Sequence, residues 1–161
     1  MRDTALPAAI LVVSVGSMLG FTTRKADFLA GAATVIAVTL ATSAIRLPDT
    51  HEVVFLGTWL LIAITALSGL AAKSLPGWLA IPVAACASAF IGLLNGEGSE
   101  SRIVAMMGLL VLAGTSARLF VASGHRLFVR VAAGWLLAVA VLNVALTMLP
   151  VTPGYFPDHL E

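Results

Sequence analysis

The chain has 161 residues, of which 60% are hydrophobic and only 11% charged, with a formal net charge of +1. A soluble domain of this length carries about a quarter charged residues and leaves too much surface to hide so many apolar side chains, so a water-soluble globular domain is excluded. The near-neutral balance also leaves no basic face for nucleic acid.

About 20 mostly apolar residues are needed to cross the hydrocarbon core of a bilayer. Six segments qualify: 5–22, 27–45, 53–72, 77–95, 103–122 and 127–149. The first opens on Leu6-Pro7 and carries Gly16 and Gly20 as G-x-x-x-G. One basic residue precedes it, no small-residue cleavage site follows it, and Arg24-Lys25 comes directly after. It is therefore expected to be a retained helix and not a removed leader. The second holds Thr34, Thr39, Thr42 and Ser43 and runs into the polar break RLPDTHE. In the third, Thr58, Thr65 and Ser68 share one helical face. The fourth contains Pro82 early, Cys86, and a small-residue stripe of Ala84, Ser88 and Gly92. The fifth carries Met106-Met107, Gly108 and, near its end, Arg118. The sixth begins with Arg130 a turn inside it, then Asn143 and Thr147 at i, i+4. Its tail, VTPGYFPDHLE, places Tyr155 and Phe156 as an interfacial aromatic anchor.

No segment alternates polar and apolar residues as a barrel strand must. Backbone groups in lipid have to pair internally, which leaves an all-α integral membrane bundle of six transmembrane helices, one membrane domain over residues 1–161. Side B, reached at the end of the first span, receives Arg24, Lys25, Lys73, Arg118, Arg126 and Arg130; side A receives Arg2, Arg46 and Arg102. Basic loops stay cytoplasmic. The expectation is an inner (plasma) membrane of bacterial type with both termini external.

Two clusters echo each other. Thr42-Ser43-Ala44 matches Thr115-Ser116-Ala117, Arg46 matches Arg118 with one residue skipped, and His51 matches His125. Trp59-Leu60-Leu61 matches Trp135-Leu136-Leu137, and Leu75-Pro76 echoes Leu6-Pro7. The halves would be 5–74 and 75–154. Three helices per half is odd, so a repeat of this kind is inverted in the membrane; chance alignment of Ala- and Leu-rich sequence is the alternative.

Intramembrane charge marks function by default, and none stands in the middle of a span. Arg118 and Arg130 lie within about a turn of the membrane boundary and are expected as interfacial basic anchors whose side chains snorkel. The candidate polar lining is Asn143 with Thr147, and Thr58, Thr65 and Ser68 on the third span. The histidines, His51, His125 and His159, are expected in loops or the tail. No metal-ligand spacing, catalytic motif or haem-ligating histidine within a span is present, so neither a metal, a cofactor nor catalytic residues are expected, and the protein is not expected to be an enzyme. Cys86 is a small apolar-site residue with no intramolecular disulfide partner. Two functions remain open. One is a transporter or channel for a neutral or weakly polar solute. The other is a non-catalytic accessory or scaffold subunit of a larger membrane complex. The partners are the bilayer itself and either a homo-oligomer or other membrane subunits.

Overall fold

The computed structural model describes residues 5–45, 51–71, 74–94 and 100–148. They form six helices and, among the described residues, no strand. These are α1 (Ala5–Gly20), α2 (Lys25–Ser43), α3 (His51–Ala71), α4 (Gly77–Leu94), α5 (Glu100–Ala122) and α6 (Arg126–Met148). Five are long and apolar enough to cross a membrane; α1 has 16 residues. Several apolar helices of this kind suggest a membrane-embedded protein. The tail with Tyr155 and Phe156, His159 and Arg46 lie outside the described residues. His51, expected in a loop, is instead the first residue of α3.

α1 is the hub. It packs on every other helix, most extensively on α5. Ala8, Leu11, Val12, Val15, Met18 and Leu19 are all buried, so α1 is enclosed by protein over most of its surface. At 1.5 Å per residue it is about 24 Å long, short for a hydrocarbon core of about 30 Å. Enclosure removes the mismatch with lipid that a helix at the bundle surface would meet. Pro7 falls in its first turn, where the missing N–H has no partner to lose. α1 ends where Phe21 and Thr22 donate their N–H groups to the carbonyls of Met18 and Leu19 at 3.1 and 3.0 Å. The chain then turns, and the Leu75 N–H, just before α4, donates to the Phe21 carbonyl at 3.1 Å.

Two helix pairs dominate the packing, α1 with α5 and α2 with α4. Gly16 meets Leu110, Ala113 and Gly114, and Gly20 meets Gly114, Ala117 and Arg118, so α1 and α5 run parallel. Gly77 meets Asp27 and Gly92 meets Thr39 and Thr42, so α2 and α4 are parallel as well. The small-residue stripes in α1 and α4 are thus consumed inside one chain, where they bring backbones into contact. The third pair is α3 with α6. α3 ends beside the end of α1, because Ala71 is four residues from Leu75. α6 starts where α5 ends, also at that side, so α3 and α6 are antiparallel.

The exterior is apolar and the interior carries hydroxyls. Trp78, Leu112, Leu127 and Trp135 are exposed, whereas Ser14, Thr39, Thr58, Thr65 and Ser88 are buried. Cys86 is exposed on α4, as is Pro82, through which the helix continues. Asp27, in the first turn of α2, lies against Gly77 at the start of α4. There a carboxylate is favoured by the helix dipole.

α5 closes with a Schellman motif: the N–H of His125 donates to the Phe120 carbonyl at 2.9 Å and that of Gly124 to Val121 at 3.3 Å. Gly124 has φ of 81° with nothing within 4 Å of its missing side chain. Gly124→Ala is therefore expected to cost about 1 kcal/mol from backbone strain alone, and Gly124→Asn less. Thermal unfolding of the two variants in detergent reads the difference; equal melting with the parent would contradict it.

Candidate functional site: a hydroxyl-lined cavity between α1, α3 and α6

A cavity of about 60 Å³ lies between α1, α3 and α6, its wall reaching Phe21 and Val129 near the side-B end. Ser14, Ser17 and Phe21 of α1 line it, with Thr65 and Gly69 of α3 and Ala133 of α6. Small residues make the space: where α3 and α6 cross, Gly69 and Ala133 face each other. The helical register supplies the polar groups, since Ser14 and Ser17 are one turn apart and face α3 together. The Ser14 and Thr65 hydroxyl oxygens are 2.6 Å apart, a buried hydrogen bond between α1 and α3. Thr65 also lies 2.8 Å from the Leu61 carbonyl of its own helix.

The candidate polar residues separate. Thr65 lines the cavity and is buried. Thr58, two turns nearer side A, is buried and donates to the Val54 carbonyl at 2.7 Å. Ser68 donates to Ile64 at 2.8 Å along α3. Asn143 is half-buried and its amide donates to the Val139 carbonyl at 2.9 Å, while Thr147 donates to Val144 at 2.7 Å. Asn143, Thr147, Thr58 and Ser68 thus spend hydrogen bonds on their own helices, and of the five only Thr65 is among the cavity's lining residues.

No known family, curated protein or solved structure matches the chain.

Ser14 and Ser17 were not singled out by sequence pattern. Serine in an apolar helix usually returns its proton to the preceding turn. Across helices such bonds are worth only about 0.6 kcal/mol, so pattern alone gives no weight to either residue. The available signal is two serines at i, i+3 in an otherwise apolar span. Trp59 lies on the same α3 face as Ala66 and Gly69, both cavity-lining, but nearer side A. It is 3% exposed, packs edge-on against Phe55, and its indole Nε1 has no hydrogen-bond partner.

Arg118 and Arg130 sit at the side-B end. The Arg118 guanidinium lies 5.8 Å from the centre of the Phe28 ring in the first turn of α2, with Nη1 enclosed and unpartnered. Such a cation over a ring contributes about 0.5–2 kcal/mol. Arg130 follows the cavity-lining Val129, and its Nε is likewise enclosed. Both are half-buried.

Proposed function

We propose that the protein is an integral membrane transporter or channel for a small neutral or weakly polar solute, with its pathway along the α1/α3/α6 interface. The observation that carries the reading is the cavity lined by Ser14, Ser17 and Thr65, where hydroxyls from two helices meet without a charged group among the lining residues. A charged solute passing there would shed its hydration with no counter-charge to replace it. An accessory subunit would present the small-residue stripes as docking faces. Those stripes now have partners inside the chain, at α5 and α2, which favours the pathway.

Helix packing also supports two inverted halves. Exchanging α1 with α4, α2 with α5 and α3 with α6 turns the α1·α5 pair into α4·α2, the two most extensive contacts, and leaves α3·α6, α1·α4 and α2·α5 unchanged. The close approaches are alike, although pairing Gly16 with Gly92 lies seven residues from the Leu6-Pro7 and Leu75-Pro76 match. A methyl at Gly16 would stand 2.8 Å from the Leu110 carbonyl oxygen, and one at Gly92 would stand 2.7 Å from that of Thr39. In this register Thr42 corresponds to Ala113, two residues from the match suggested by the TSA clusters. The correspondence is partial: α1 packs on α3, while the equivalent α4·α6 contact is missing among the described residues. Arg24, Lys25, Arg118, Arg126 and Arg130 gather at the end where α1, α3 and α5 finish, which supports that end as cytoplasmic.

Purified protein in liposomes tests the pathway. Uncharged small solutes are expected to equilibrate at least several-fold faster than across protein-free vesicles, and sodium or chloride at the protein-free rate. Charged solutes crossing as fast as neutral ones, or no solute crossing, would refute it. A reporter fused after Glu161 is expected to read as external.

A further inference from the structure

Counting protons in the cavity narrows the solute, if the pathway reading holds. Thr65 has one hydroxyl hydrogen, and its Oγ1 lies 2.8 Å from the Leu61 carbonyl and 3.0 Å from that of Ile62. The Ser14 hydroxyl is 2.6 Å from Thr65 Oγ1, and one of the two donates to the other. In either direction Ser14 Oγ keeps acceptor capacity, because a hydroxyl oxygen carries two lone pairs. Ser17, half-buried at the cavity wall, makes no side-chain hydrogen bond among the described residues, so its hydroxyl can both donate and accept. The rest of the wall is aliphatic side chains, the Met18 thioether, the Phe21 ring and Gly69.

We infer that this cavity binds a neutral molecule of water or ammonia size, which donates a hydrogen bond to Ser14 Oγ and exchanges one with the Ser17 hydroxyl. Size sets the upper limit. A volume of about 60 Å³ is of the order of two waters at about 30 Å³ each, and urea or glycerol exceeds it. Chemistry sets the lower limit. A molecule with no hydrogen-bonding group leaves the Ser17 hydroxyl facing an apolar surface, and burying an unpaired polar atom is unfavourable. Ammonium and alkali cations find no carboxylate among the lining residues.

The test is a solute series on the full chain in liposomes. Osmotic shrinkage reports water, urea and glycerol; an enclosed pH dye reports ammonia. Water or ammonia, or both, are expected above the protein-free rate, with urea and glycerol at that rate. Ser17→Ala is expected to slow the transported species about fivefold, the worth of one hydrogen bond. Ser17→Val, which also fills the cavity, is expected to return it to the protein-free rate, and Ser17→Thr to keep it. Melting and gel filtration must match the parent, so that slow flux cannot come from misfolding. Urea or glycerol passing as fast as water would overturn the size limit while leaving the pathway intact. Unchanged flux in both Ser17→Ala and Ser17→Val would overturn the site. No solute crossing at all would remove the pathway on which the inference rests.

Discussion

Gly16→Val and Gly92→Val, made singly, are each expected to destabilise the fold by about 3 kcal/mol or more, and Gly108→Ala by no more than about 0.5 kcal/mol. The first two glycines occupy the backbone contacts of the parallel pairs. A methyl at Gly16 would lie 2.8 Å from the Leu110 oxygen, 3.1 Å from Ala113 Cβ and 3.2 Å from the Gly114 nitrogen. Two of these neighbours are backbone atoms and none can rotate away, so the helices must separate. At Gly92 the obstacles are the Thr42 side chain and the Thr39 carbonyl, and Thr39 also donates across to the Ser88 carbonyl at 3.3 Å. Spreading that seam loses the hydrogen bond and the packing together. Gly108 has nothing within 4 Å. Unfolding titration in mixed micelles gives all three values. If the inverted halves are equivalent, the Gly16 and Gly92 variants should lose similar amounts. A cost confined to one of them would count against that equivalence, and a cost at Gly108 as large as at Gly16 would show that the seams lie elsewhere.

Leu112→Lys is expected to raise the apparent insertion free energy of α5 by about 3–4 kcal/mol, the sum of losing a favourable leucine and placing a lysine near the middle of a span. Leu112 is the thirteenth of the 23 residues of α5 and 65% exposed. On a protein in water the same change at an exposed leucine would fall within about 0.5 kcal/mol of neutral. The two environments therefore predict different outcomes for one substitution. Glycosylation mapping in microsomes, followed by an alkaline wash, should show α5 of the variant largely uninserted. Recovery of the variant as a folded, water-soluble monomer would overturn the membrane assignment. Leu60→Lys, at 57% exposure on α3, provides an independent second site.

The helices were legible because apolar runs alternate with short breaks such as TTRKAD and SGHR, and the observed ends fall within three residues of those read from hydropathy. Gly16, Gly20 and Gly92 were legible as contact residues, but not their partners: spacing says that a backbone can come close, and only the packed fold says which. The cavity was the least legible part. Of the five candidate polar residues, Thr65 alone turns out to line it, because a hydroxyl that serves its own helix and one that reaches across look the same in sequence. Asn143 drew attention as the most polar group in a span, yet its amide has a satisfactory acceptor one turn back. Ser14 is informative only because Thr65 stands opposite it.

The central position of α1 has a consequence in time. It is the first described helix to be synthesised, yet Gly16 and its partner Gly114 are separated by nearly a hundred positions. At about 5–20 residues per second, several seconds pass before α5 exists to cover that glycine face. The α2·α4 seam spans about half that distance along the chain, so it can close earlier. During the interval α1 is a short helix with its contact surface open, held only by what has emerged so far. Assembly of the bundle therefore ends at its middle, and a chain stopped before α5 leaves the hub uncovered.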